Sequence, residues 1–274
     1  MTFAARPFIM GPALLFCPAD RPERFAKAAD RADAVILDLE DAVAPEAKRG
    51  ARENLAANPL DPARTLVRLN AASTADFEAD LAALAKTPYR TVMLAKAEGV
   101  EQVRELAGFE VIALCETALG VLNAPAMAAE PNVVGLMWGA EDLVASLGGT
   151  SSRKDDGAYR AIAQHARSTI LLSAGAFRKA AIDAVYTAIP DLSGLAAESD
   201  DAAASGFAAK ACIHPSQVTA VRRAYVPTDE AIAAARDLLA AADAAGTGVF
   251  QHQGRMIDGP ILRHAEAVLR RAGV

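Results

Sequence analysis

Short apolar runs punctuate this chain at near-regular intervals, and each is followed by a longer stretch of mixed polarity. The runs are 13–17 (ALLFC), 34–39 (AVILDL), 65–69 (TLVRL), 91–95 (TVMLA), 111–115 (VIALC), 133–138 (VVGLMW), 181–186 (AIDAVY) and 209–213 (AKACI). Most are too uniformly apolar for a strand with one wet face, which is the pattern of strands buried on both sides. The stretches between them suit helices. Pro22 and Pro45 stand where helices begin, because a first turn does not need the missing N–H. Ser73-Thr74 reads as an N-cap for a helix to about Lys86.

Strands alternating with helices predict a parallel sheet. Eight such units within 274 residues match a (β/α)8 TIM barrel. A doubly wound open sheet would favour a glycine-rich turn after the first strand. That turn instead reads CPADRPER, and no nucleotide-binding glycine fingerprint occurs anywhere. The stretch 147–159 (LGGTSSRKDDGAY) breaks the rhythm as an extended loop, ahead of a long helix through about Ala174. The expected catalytic barrel domain spans 1–225. A C-terminal helical extension, 226–274, is expected to pack on the barrel or on a neighbouring subunit. It holds a helix from Asp229 to about Ala241, a glycine-rich turn at 245–248 and a helix from Pro260 onward.

Composition narrows the function classes. Hydrophobic residues are 53% of the chain, enough for a large core. Aromatics are 5%, with one tryptophan, which argues against base-stacking platforms. The net charge of −6 carries no polyanion footprint, so no nucleic-acid partner is expected. Cys17, Cys115 and Cys212 are far apart and form no CxxC pair, as expected of buried thiols in a reducing compartment. No run approaches a membrane span. The N-terminal stretch, interrupted by Pro12 and Pro18, lacks an apolar run of signal-peptide length. A cytoplasmic protein with no membrane partner is the expectation.

In a barrel of this kind the chemistry sits where strands end. Asp38, Glu40 and Asp41 follow the second run, and Arg68 and Asn70 the third. Lys96 and Glu98 follow the fourth, Glu116-Thr117 the fifth, Gly139-Ala140-Glu141-Asp142 the sixth and His214 the eighth. Hard oxygen ligands without cysteine or paired histidine suit Mg²⁺, which takes one or two carboxylates and fills its shell with water and substrate oxygens. Glu116 and Asp142 fit that role best: the first leaves an apolar strand directly, and the second follows small residues that leave a ligand room. Helix capping is the competing reading for both. For Glu40 and Asp41, capping or pairing with Arg68 stands beside substrate contact. Lys96 reads as an ion-pair partner. His214-Pro215-Ser216 reads as a turn before a helix, with catalysis as the alternative. Arg68 offers a fork for a carboxylate or a polarised carbonyl.

The ordered blocks LFCPADRPERFAKA, VILDLEDAV, VRLN, MLAKAE, ETALG, WGAEDL and CIHPSQ resemble the citrate lyase β-subunit family of the HpcH/HpaI aldolase superfamily, which includes malyl-CoA and citramalyl-CoA lyases. The resemblance runs from about Leu14 to Asp258 and implies a (β/α)8 barrel, usually as a homotrimer. It implies Mg²⁺ on Glu116 and Asp142, and Arg68 as the group that binds substrate carboxylate or thioester enolate oxygen, with Glu116 also facing substrate. By matching, Asp258 is the acid/base that reaches a neighbouring subunit's site, and Glu40, Asp41 and Lys96 support the site. The implied activity is Mg²⁺-dependent cleavage of a β-hydroxyacyl-CoA thioester into a small α-keto acid and acetyl-CoA. Two alternatives are a citrate lyase β-subunit working on a citryl thioester within a complex, and a non-catalytic scaffold. The chain departs from the family pattern at Gly11-Pro12-Ala13, where many members carry an arginine, and at Ala95, where a proline is common.

Overall fold

The computed structural model describes residues 8–274; the first seven residues, part of the stretch read for a leader, lie outside it. The eight apolar runs form β1 (Ala13–Pro18), β2 (Ala34–Asp38), β3 (Thr65–Leu69), β4 (Thr91–Leu94), β5 (Glu110–Cys115), β6 (Val133–Trp138), β7 (Ala180–Asp183) and β8 (Ala209–Cys212). They close in sequence order into a barrel. Every neighbouring pair is parallel, including the closure of β1 on β8. The connecting helices are α1 (Phe25–Arg31), α2 (Lys48–Ala57), α3 (Ala75–Leu84), α4 (Val100–Arg104), α5 (Ala118–Ala128), α6 (Ala140–Ser146), α7 (Ala161–Ala176) and α8 (Leu192–Ser205).

Side chains alternate faces along a strand, and both faces here are dry. One set, including Leu14, Ile36, Leu66, Met93, Ile112, Leu114, Met137 and Ile182, forms the packed barrel interior. The alternate set, including Leu15, Val35, Val67, Val92, Val111 and Leu136, is equally buried. Carrying the inward parity two residues further places Asp38, Arg68 and Glu116 at the C-terminal mouth. The pattern that builds the core therefore also aims the chemistry.

The elements depart from expectation at their ends. β7 stops at Asp183, three residues early, because the Ala184 carbonyl accepts from the Lys210 ammonium (2.8 Å) rather than from a neighbouring strand. β4 ends at Leu94, before the turn that carries Lys96. Thr74 does stand at the N-cap of α3, but its hydroxyl donates back to the Ala71 carbonyl (2.8 Å) and caps nothing. α3 ends at Leu84, where the Thr87 hydroxyl takes the Leu84 carbonyl.

The chain divides into two compact units, the first ending at Val221 and the second covering Arg222–Val274. The division falls within α9 (Val218–Tyr225). In the second unit α10 (Asp229–Ala245) is capped by the Thr228 hydroxyl and closed by Gly246 in the left-handed region. A hairpin follows that the hydrophobic pattern did not reveal: β9 (Phe250–His252) pairs antiparallel with β10 (Arg255–Ile257). Gln253 and Gly254, both at positive φ, make its two-residue turn. Its strands are three residues each, too short for periodicity to register. α11 (Gly259–Ala272) completes the unit.

A charged cluster lies on the outer side of β7 and β8. Asp183 is fully buried and accepts from the Trp138 indole (2.8 Å), the Lys210 ammonium (2.9 Å) and the Arg167 guanidinium (3.0 Å). Burial by itself raises its pKa, but the Lys210 and Arg167 charges outweigh that and hold it below the usual carboxylate range. Its contribution is therefore present above the unfolded value of about 4 and is lost as pH falls through the lower folded value. Asp183→Asn is expected to destabilise the barrel at pH 7 by about 3 kcal/mol, since it leaves Lys210 buried and half-paired. Denaturant melts should also show a shallower loss of stability below pH 4 than in the wild type.

Candidate active site

The mouth is built around Arg68. Its Nε and Nη2 donate to the two oxygens of Asp38 (2.7 and 2.6 Å), and Nη1 lies 3.0 Å from Glu40 Oε2. The guanidinium also stacks over the Phe16 ring, 4.9 Å from its centroid. All three nitrogens are thus committed, which fixes the plane of the fork. The sequence places Asp38 among the strand-end groups but gives it no role of its own. The signal for it was parity: it stands two residues after the inward Ile36, at the end of β2.

Glu40 is buried and bridges two cations, Arg68 through Oε2 and the Lys96 ammonium through Oε1. Burial raises its pKa, opposed by Arg68 and Lys96. Asp41 is more open and lies 3.1 Å from Lys96 Nζ. Pairing with Arg68, one of the two readings of this acidic pair, is what Glu40 does, while Asp41 pairs with Lys96. Lys96 also lies 3.8 Å from Asp142 Oδ1.

Glu116 leaves β5 with only 3% of its surface exposed. The Lys96 backbone N–H donates to its Oε1 (3.1 Å). Its Oε2 lies over Gly139, where a Cβ would stand 2.7 Å from that oxygen. Burial, and then the charge of Asp142, push its pKa up to about 8, with Arg68 and Lys96 pulling the other way. Neither Glu116 nor Asp142 makes a side-chain cap; the Thr117 hydroxyl caps α5. Asp142 sits in the first turn of α6, three residues after its N-cap Gly139. Glu116, buried over a glycine cradle with its charge disfavoured by Asp142, forms with that aspartate a donor set suited to a hard divalent cation. Among the described residues no group of three or more His, Cys, Asp or Glu side chains is arranged as a metal cage. Two carboxylates leave the remaining positions to water and substrate, as Mg²⁺ prefers.

His214, Glu98 and Asn70 are committed elsewhere in the barrel. His214 caps the turn Pro215–Gln217, with Nδ1 accepting from the Ser216 N–H (3.2 Å), as the turn reading expected. Glu98 accepts from the Thr117 hydroxyl (2.7 Å). Asn70 bonds Asp80 and the Leu39 carbonyl. Asp258 stands at the start of α11 in the second unit, directly after β10. All three cysteines are buried. The loop 147–159 is tied down by Arg153, which pairs with Glu198 (2.7 Å) and stacks on Tyr159 (3.8 Å), and by a Ser152 hydroxyl bond to Glu141 (2.6 Å). No helix among the described residues is long and apolar enough to cross a membrane.

A closed parallel barrel with carboxylates and a clamped arginine at the C-terminal ends of its strands is a barrel enzyme. Residues 13–215 match the HpcH/HpaI aldolase/citrate lyase family, and the chain belongs to it. It is a lyase of that family. It is 59% identical to the citrate lyase subunit beta-like protein of Mycobacterium tuberculosis H37Rv, over 96% of each chain. The crystal structure of protein CitE from Mycobacterium tuberculosis in complex with magnesium, acetoacetate and coenzyme A superimposes with a TM-score of 0.94 at 58% identity, covering 97% of this chain and 99% of that one. The human mitochondrial citramalyl-CoA lyase is 33% identical over 93% of this chain and 83% of its own.

The Gly139 cradle gives a direct test. An alanine Cβ would displace Glu116 Oε2. Gly139→Ala is expected to cut lyase turnover by about 100-fold, the scale for a misplaced catalytic group, while the circular dichroism spectrum stays that of the wild type.

Proposed function

We propose that this enzyme cleaves a β-hydroxyacyl-CoA thioester of the citramalyl-CoA or malyl-CoA type into an α-keto acid and acetyl-CoA, with Mg²⁺ held by Glu116 and Asp142. The observation that carries this reading is the meeting of Glu116, Asp142 and Arg68 at one mouth. Support comes from the relatives: one was crystallised with magnesium, acetoacetate and coenzyme A, and another is named a citramalyl-CoA lyase.

Bound Mg²⁺ would supply Lewis acidity and a template for the substrate's carboxylate and hydroxyl oxygens. The chain's own residues do the rest. A base takes the hydroxyl proton, the Cα–Cβ bond breaks, and its electron pair moves into the thioester as an enolate. That negative charge develops only as the bond breaks, so a preset cation aimed at it lowers the barrier selectively. Arg68 is that cation, held in one orientation by Asp38 and Glu40. Asp258 then returns a proton to the enolate carbon, or removes one in the synthetic direction. We assign Asp258 to the site of a neighbouring subunit, with 226–274 as the extension that delivers it, in a cytoplasmic homotrimer.

A second reading, a β-subunit acting on a citryl thioester carried by a partner, draws on the beta-like name of the close relative. The two separate cleanly in one assay. Purified protein with Mg²⁺ and a panel of free β-hydroxyacyl-CoAs is expected to release keto acid; turnover only on a carrier-bound thioester would favour the partner reading. Glu116→Gln should lower kcat by about 100-fold or more. Asp258→Asn should slow turnover while leaving Mg²⁺ affinity, read by calorimetry, unchanged. Near-full activity of Glu116→Gln would overturn the metal assignment.

A further inference from the structure

Lys96 occupies a backbone conformation that its side chain should avoid. Its φ is +50°, in the left-handed region that glycine enters freely and other residues enter at a steric cost. The turn is held from several sides. The Lys96 N–H donates to Glu116 Oε1 (3.1 Å), and the Ala97 N–H donates to the Leu114 carbonyl (3.0 Å). The first turn of α5 packs so tightly on this turn that a Cβ at Gly120 would lie 2.4 Å from the Ala97 carbonyl oxygen. Every one of these main-chain contacts would survive with glycine at 96. The lysine is therefore explained by its ammonium, not by the turn.

That ammonium reaches Glu40, Asp41 and Asp142. Among the described residues, it and Arg68 are the two cations that ion-pair with the acidic mouth formed by Asp38, Glu40, Asp41 and Asp142, with Glu116 beside them. We infer that Lys96 is a resident counter-cation that competes with the divalent metal for Asp142, weakening metal binding until substrate oxygens join the coordination shell. This inference rests on the assignment of Glu116 and Asp142 as the metal carboxylates. Lys96 is then a positioning residue with two separable parts: its N–H orients Glu116, and its side chain sets the charge that the metal meets. A site with two protein carboxylates and an internal competitor loads its metal together with an anionic ligand.

The sign of the effect distinguishes this role from a structural one. Titration calorimetry of Mg²⁺ into the full-length protein compares wild type with Lys96→Gly, Lys96→Met, Lys96→Arg and Glu116→Gln. Removing one positive charge at this distance is expected to tighten Mg²⁺ binding about tenfold in Lys96→Gly and Lys96→Met, with Lys96→Arg returning toward wild type. The comparison is read on whichever of the two neutral variants keeps the wild-type melting temperature. Unchanged or weaker Mg²⁺ binding in that variant, alongside loss of binding in Glu116→Gln, overturns the competition and leaves the metal assignment intact. Wild-type affinity in Glu116→Gln overturns the metal assignment itself.

Discussion

A carboxylate at the end of β5 has been taken almost entirely out of water and set beside a second one. Glu116 is 3% exposed, and its pKa is pushed up to about 8 by burial and by Asp142. An arrangement of this kind is unfavourable by itself, because the buried anion loses hydration and gains a like-charged neighbour. The surroundings are organised to hold it. Lys96 supplies an N–H and a charge, Gly139 makes space for Oε2, and Arg68 contributes a second positive charge from across the mouth.

The rest of the mouth follows from keeping those cations in place. Arg68 is clamped by Asp38 and Glu40, and Glu40 in turn shares itself with Lys96. The ends of β2 through β6 supply these groups, so the barrel converts a strand register into a charge register. Outside the barrel wall, the Asp183, Lys210 and Arg167 cluster joins β7 and β8 to α7. It braces β7 and β8, strands whose ends hold none of the charged groups gathered around Arg68.

Much of this was legible beforehand. Eight apolar runs became eight strands because a doubly buried strand has no wet face to dilute its pattern. The family resemblance was borne out by the match over residues 13–215. Glu40, Arg68, Lys96, Glu116 and Asp142 could be named because strand ends are fixed by the same runs that fix the core, and the structure brings them to one mouth. What stayed hidden depended on partners distant in sequence. Asp38 is ordinary until Arg68 is seen closing on it, 30 residues away. Gly139 matters only because Glu116 lies over it. The early end of β7 is set by Lys210, one strand later. The β9–β10 hairpin is too short for its pattern to stand out, and only Gln253-Gly254 marked it.

We propose that Glu116 and Asp142 together hold the divalent metal at the mouth of this barrel. A crystal structure of the protein grown with Mn²⁺ and an α-keto acid, read by anomalous scattering, tests it most directly. One metal peak is expected at the mouth, with carboxylate oxygens of both Glu116 and Asp142 at coordination distance and the keto acid's oxygens completing the shell. A metal bound without either carboxylate, or a keto acid bound in the mouth with no metal between it and Glu116, would contradict it.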